Sequence, residues 1–312
     1  MIKDLNMTNV LKSVMRLAVA CAALVTMSTQ AASITIEHFK GTTTFEQVPQ
    51  RVVVLGNGSL DVLDRIGVQP VGAPHSLLPS YLSEYKTSTT NTGSVGEPDF
   101  EAIFTLKPDV IIAENRMLRL YDELNKIAPT VMFYVDNGQY WQDTQANWRM
   151  LGKLFNKEQN VESLIAETQA QLDDVSSKVV KEQLNALMVM NNGNNVAMYN
   201  KGSRFSIVFD DFGFAESTSQ NVAPIEGAHG NLISFEYISD AKPEVMFVLD
   251  REQAIGRGEG KAKALFNNTL VNSTPAAQNK KIVYIDSNAW YISGGGVTAT
   301  QTMINDVSKA VN

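Results

Sequence analysis

Residues 100–116 read FEAIFTLKPDVIIAENR, and residues 235–251 read FEYISDAKPEVMFVLDR. The two stretches align without a gap at an offset of 135 residues, position 100 against position 235. Seven of the seventeen pairs are identical: Phe100/Phe235, Glu101/Glu236, Ile103/Ile238, Lys107/Lys242, Pro108/Pro243, Val110/Val245 and Arg116/Arg251. Each copy reads as a short helix, a Lys-Pro turn that stops it, a buried strand, and an arginine at the strand's carboxyl end. The likeness extends outward. Gly93-Ser-Val-Gly96 echoes Gly227-Ala-His-Gly230 with one residue slipped, and Val131–Asp136 echoes Lys281–Asp286. Two such copies predict a chain duplicated into two lobes, since a solenoid needs three or more shorter repeats.

The intervening sequence defines the class of fold. Aliphatic runs recur at Val52–Leu55, Val110–Ala113, Val131–Val135, Leu187–Met190, Val245–Leu249 and Ile282–Ile285, bounded by Gly, Pro and Asn. They are nearly continuous rather than alternating, which suits strands buried on both faces, and helical-period segments lie between them. Between Lys153 and Asn192 there is neither Gly nor Pro. There Val161, Leu164, Ile165, Thr168, Leu172, Val175 and Val179 recur at steps of three and four, the stripe of one long amphipathic helix. The expectation is an α/β fold of two Rossmann-like lobes joined by a single long α-helix, a stiff connector. Its divisions are a leader at 1–31, an N-terminal lobe at 32–155, a connecting helix at 156–182 and a C-terminal lobe at 183–312.

Lys3, Lys12 and Arg16 precede a short apolar run from Leu17 to Met27, and small residues follow at Thr29-Gln30-Ala31, the three parts of a secretory signal. Eleven apolar residues are too few to cross a bilayer, which takes about 20. Ala18-Val19-Ala20-Cys21 is a poor lipoprotein site, because the apolar run continues past Cys21. Export to the periplasm is therefore expected, with the only cysteine lost on cleavage, so that neither disulfides nor thiolate catalysis remain. The formal net charge of −7 excludes the basic footprint of a nucleic-acid partner. No Ser-His-Asp arrangement stands out as a nucleophilic triad, and His38 and His75 have no metal-ligand spacing with His229.

The order of these features resembles the periplasmic binding proteins of iron-siderophore and cobalamin ABC importers, the class III binding proteins with a long interlobe helix. The resemblance rests on VVVLGNGSLDVLDRIG at 52–67 followed by VGAP at 71–74, the two KP-strand elements and the unbroken central helix. Three stretches, GSRFS at 202–206, EGAHGNLISFEYI at 226–238 and NAWYISGGG at 288–296, look most similar to the branch that binds ferric catecholates. The resemblance implies a ferric siderophore as transported ligand, no permanently bound cofactor, no catalysed reaction, and a monomer that docks onto permease subunits. Haem, cobalamin or a ferric hydroxamate on the same fold is the alternative cargo, and a periplasmic metal-dependent enzyme the alternative class.

The residues themselves suggest the same chemistry. An anionic ferric catecholate needs a local cationic pocket on an acidic protein, and Arg116, Arg204 and Arg251 supply three guanidiniums able to donate to catecholate oxygens and stack on rings. His229, in its glycine-bracketed turn, and Tyr291, ahead of Ser293-Gly-Gly-Gly296, are good ferric ligands when a siderophore leaves the iron coordinatively incomplete. The resemblance implies that role for them, and implies that Glu101 and Glu236, at matching places in the repeat, dock onto the transporter. Glu97 competes for the same role. Trp290, Tyr140 and Trp141 read first as packing residues, as single aromatics more often are, with the cleft mouth as the alternative place for them.

Overall fold

Both copies of the repeat close their helices in the same way. The structure is a computed structural model that describes residues 33–218, 230–258 and 260–311; the expected leader, Cys21 and His229 lie outside the described residues. Asp99 caps the helix Phe100–Thr105 by accepting from the Ala102 amide, and Ser234 caps Phe235–Ala241 by accepting from the Tyr237 amide. Each satisfies a donor that the first helical turn leaves free. Lys107 and Lys242 then take up the left-handed conformation, with φ of 46° and 48°. This bends both chains identically into the prolines and the strands that follow.

Thirteen strands are described. The hairpin β1 (Ile34–His38) and β2 (Gly41–Phe45) precedes a five-stranded sheet of β3 (Val52–Val54), β4 (Gly72–Ala73), β5 (Thr90–Asn91), β6 (Val110–Glu114) and β7 (Thr130–Phe133). Its order is β5-β4-β3-β6-β7 and every pair is parallel. The second sheet contains β8 (Asn185–Asn192), β9 (Asn195–Tyr199), β10 (Ala215–Glu216), β11 (Asn231–Ile233), β12 (Val245–Asp250) and β13 (Ile282–Tyr284) in the order β11-β9-β8-β12-β13, with β10 beside β8. Here β8, β12 and β13 are parallel, as their counterparts β3, β6 and β7 are. The β8–β9 and β9–β11 pairs are antiparallel. The repeat therefore holds for the centre and one flank of each sheet. On the other flank Asn192-Gly193-Asn194 turns the chain straight back, with Gly193 at φ 59°, where the first lobe uses a helical crossover.

Burial is continuous along these apolar runs, and alternate residues belong to different cores. Val52, Val54, Val110 and Ile112 of the first sheet join Met188, Met190, Val245, Phe247 and Leu249 of the second in one central cluster. Val53, Ile111 and Ala113 belong to an outer cluster of the first lobe, and Leu187, Val189, Met246 and Val248 to an outer cluster of the second. Between the sheets lies the helix Glu158–Glu182, roughly 37 Å long at 1.5 Å per residue. It buries Val161, Ile165, Thr168, Leu172, Val175 and Val179, the stripe expected from their spacing, and Gln183 ends it in the left-handed conformation at φ 55°.

A second bridge is made without a covalent crossing. The C-terminal helix Val297–Val311 returns to the first lobe, where Asp61 of the helix Asn57–Ile66 accepts from the amides of Thr298 at 3.1 Å and Ala299 at 2.9 Å. Tyr81 donates to the same carboxylate at 3.2 Å. The approach is so close that a side chain at Gly296 would collide with Asp61, and one at Gly58 with the Gly294 carbonyl. The Trp148 indole donates to Gly295 O at 2.6 Å, and the Tyr140 hydroxyl accepts from the Gly295 amide at 3.0 Å. Burial pushes the Asp61 carboxyl above its usual range, opposed by these amide and hydroxyl donors. Asp61→Ala should lower the unfolding free energy by about 2 kcal/mol, the worth of a buried cap plus the donors it orphans. Urea unfolding with an unchanged slope would measure this, and a loss below ~0.5 kcal/mol would show that Asp61 does not fasten the lobes.

Candidate functional site

The helix Ser287–Tyr291 is short, and Asp286 caps it by accepting from the Ala289 amide. This places Tyr291 where the lobes meet. The Tyr291 carbonyl accepts Nη2 of Arg116 from the first lobe and Nη2 of Arg204 from the second, each at 3.1 Å. Nε of Arg251 donates to the Tyr291 hydroxyl at 3.3 Å, and its Nη1 donates to Asn192 Oδ1 at 3.2 Å. The Arg204 guanidinium stacks over the Tyr291 ring, 4.2 Å from its centroid, and Arg116 lies 5.4 Å from the same centroid. Arg204 also lies over the Phe205 ring, 5.1 Å from its centroid.

The repeat explains two of these arginines. Arg116 follows β6 directly after Asn115, and Arg251 follows β12 and opens the helix Arg251–Ala254, capped by Asp250. Both are thus held at strand carboxyl ends, where α/β sheets bind ligands. Arg204 comes from the turn between β9 and the helix Ile207–Asp210 and has no counterpart in the first lobe.

Three guanidiniums around one phenol set its proton affinity. Burial pushes the Tyr291 phenol up, but the Arg251 hydrogen bond and the charges of Arg204, Arg251 and Arg116 outweigh it, and the phenol titrates below its ordinary range. Burial pulls Arg204 down, and the Arg116 charge adds to this. Among the described residues no carboxylate lies within ion-pair distance of any of the three. Nε of Arg204 is buried without a hydrogen-bond partner, an unusual state for a charged donor.

Two cavities open on either side of this cluster and share Arg204 and Tyr291. The one toward the first lobe has a volume of about 380 Å³ and is lined by Arg116, Tyr134, Asp136 and Tyr140 among others. The one toward the second lobe, about 280 Å³, is lined by Asn192, Asn195, Leu232 and Arg251, with no acidic residue in its wall among the described residues. Glu114 also faces the first cavity. The Ser59 amide at 2.6 Å and hydroxyl at 2.7 Å hold it at the start of the helix Asn57–Ile66. Burial nonetheless raises its proton affinity.

Arg116, Arg204, Arg251 and Tyr291 are thus brought together. His229 lies outside the described residues. Glu101 and Glu236 are exposed in the first turns of equivalent helices, and Glu97 is exposed in the loop before the first of them. The three aromatics pack as core residues. Trp141 is buried and donates to Gln169 at 2.6 Å, away from either cavity. Trp290 and Tyr140 do reach the first cavity, but as core residues fixed by Asp306 and Thr300. Asn192, Tyr134 and Glu114 went unremarked in the sequence. Asn192 stands in the Asn-Asn-Gly-Asn turn, which was the available signal for it. Among the described residues no cluster of three His, Cys, Asp or Glu could hold a metal, and no helix is long and apolar enough to cross a membrane.

Comparison with known proteins agrees with this geometry. The family described as periplasmic binding protein matches residues 52–289. The chain is 36% identical to the petrobactin-binding protein YclQ of Bacillus subtilis, over 91% of this chain and 90% of that one. It is 31% identical to the ferric-anguibactin-binding protein FatB of Vibrio anguillarum, over 96% and 98%. The crystal structure of the periplasmic catecholate-siderophore binding protein VctP from Vibrio cholerae superposes with a TM-score of 0.84 at 44% identity, covering 89% of this chain and 99% of VctP. With two α/β lobes, a long helix between them and a ligand-sized cleft at the strand ends, the chain belongs to the periplasmic binding protein family.

Proposed function

We propose that this protein captures an anionic ferric siderophore, of the catecholate class, in the cleft around Tyr291 and delivers it to an inner-membrane ABC importer. The observation that carries the reading is the convergence of Arg116, Arg204 and Arg251 on one tyrosine, with no carboxylate at contact distance among the described residues and with Arg204 Nε unpartnered there. A polyanion that presents oxygen acceptors and aromatic faces answers all of these at once, through charge, hydrogen bonds and stacking. The petrobactin-, anguibactin- and catecholate-binding relatives support it. Neutral ferric hydroxamates answer the charge poorly. The binding event is reversible and no reaction is catalysed.

The remaining assignments belong to the same proposal. The protein is exported by residues 1–31 and acts as a periplasmic monomer, with lobes 32–155 and 183–312 flanking the connector 156–182. His229 and Tyr291 bond directly to iron when the siderophore leaves two sites open, and the depressed proton affinity of Tyr291 favours the phenolate that such a bond needs. Glu101 and Glu236, exposed at equivalent places on the two lobes, contact the permease subunits.

Three outcomes are expected. Ferric catecholates should quench intrinsic fluorescence at micromolar concentration, and Arg204→Ala should weaken that binding at least about tenfold, as loss of a desolvated charge does; absence of quenching by any ferric catecholate would refute the reading. Tyr291→Phe and His229→Ala should shift the visible charge-transfer band of a tetradentate ferric catecholate complex, whereas an unchanged band would exclude ligation. Glu101→Lys combined with Glu236→Lys should abolish uptake while leaving ligand affinity intact, and normal uptake by that double variant would remove the docking role.

A further inference from the structure

Asn288 lies one turn before Tyr291 on the same short helix, and its side chain is fixed at both ends. Its Nδ2 donates to the carbonyl of Leu77 at 2.7 Å, and its Oδ1 accepts from the Ser293 hydroxyl at 2.6 Å. Its backbone carbonyl accepts from the amides of Ile292 and Ser293 at 2.8 and 2.9 Å, closing the turn that follows Tyr291. The contact at Leu77 is the unusual one. Leu77 belongs to the first lobe, between β4 and β5, whereas Asn288 belongs to the segment that follows β13 of the second.

Leu77 is built to receive this bond. It is a non-glycine residue with φ of 55°, a conformation that persists only where the surroundings enforce it. That conformation directs its carbonyl to two side-chain amides at once, Asn288 Nδ2 at 2.7 Å and Asn57 Nδ2 at 2.8 Å. A side chain at Gly256, in the second lobe, would come within 3.2 Å of Leu77 Cδ2, so Leu77 meets the opposite lobe through its side chain as well. Asn57 and Asn288 thus make the same bond to one acceptor, but only Asn288 shares a helix with the tyrosine.

We propose that Asn288 is a positioning residue: by tying the Ser287–Tyr291 helix to the Leu77 carbonyl across the lobes, it holds Tyr291 where Arg116, Arg204 and Arg251 can all reach it. The bonds at Tyr291 demand such a fixture. Arg116 approaches from the first lobe and Arg251 from the second, and a helix of five residues has too few internal hydrogen bonds to hold its own orientation between them. The inference deepens the binding reading above, since that reading makes Tyr291 the centre of the cleft, but its test needs no ligand.

The experiment measures solvent exchange of the Arg251 Nε proton in the ligand-free protein labelled with 15N-arginine, at one fixed pH, the resonance being assigned by its loss in Arg251→Lys. In Asn288→Ala that proton should exchange about tenfold faster than in the unaltered protein, because the Tyr291 hydroxyl no longer stays within its reach. Asn57→Ala removes the twin bond to Leu77 and serves as the structural control, with stability lowered comparably and Arg251 Nε exchange unmoved. Ser293→Ala, which frees only the other end of the Asn288 amide, should speed the exchange by less, and it carries the test if Asn288→Ala does not fold. Unchanged exchange in both Asn288→Ala and Ser293→Ala, or an equal acceleration in Asn57→Ala, would overturn the proposal. Failure of every variant and of the unaltered protein to bind ferric catecholates would overturn the siderophore reading alone and leave this result standing.

Discussion

Three like charges within reach of a single tyrosine repel one another, and a protein can keep them there only if the surrounding framework is stiffer than that repulsion. Arg116, Arg204 and Arg251 have no carboxylate at contact distance among the described residues, yet all three donate to Tyr291. The aromatic face and carbonyl of Tyr291 soften the repulsion, and Phe205 backs Arg204. Rigidity supplies the rest. Strand ends fix Arg116 and Arg251, and the tyrosine's own helix is held by contacts reaching both lobes. A ligand that arrives with negative charge then releases stored repulsion as well as forming bonds, which is how a preorganised site gains affinity.

The acidity of the whole chain and the basicity of its cleft are two parts of one electrostatic design. A formal net charge of −7 keeps the protein soluble and discourages anions from binding elsewhere, while the cleft focuses positive potential at one place. Glu114 shows how carefully the local field is arranged. Its carboxyl group occupies the start of the Asn57–Ile66 helix, where Ser59 donates to it twice, so a buried acid stands close to the site without forming an ion pair with Arg116.

How much of this was legible in the sequence follows from what kind of information each feature needs. The repeat carried most of it: seven shared residues mark two capped helices, two left-handed lysines and two strand-end arginines, and local chemistry repeated twice is hard to misread. The long helix was equally plain, because its stripe is periodic and uninterrupted. The mixed character of the second sheet was missed, although Asn192-Gly193 carries a turn signal, since the apolar run of β8 reads the same whether its neighbours are parallel or antiparallel. The Asp61 and Asn288 contacts were beyond reach for a deeper reason. Each joins residues more than 200 positions apart, and a single buried Asp or Asn has no pattern in sequence that names its partner. Trp141 left two readings open, because an aromatic residue near a cleft and one in a core look alike until packing distinguishes them.

The central apolar cluster draws residues from both sheets, the long helix and the C-terminal helix alike. A molecule whose halves share one interior cannot swing them far apart without opening that interior to water, so its outline when empty and when loaded is nearly the same. A partner that must distinguish the two states therefore gains little from the shape of the receptor. It has to sense the occupant itself, or the loops that touch that occupant.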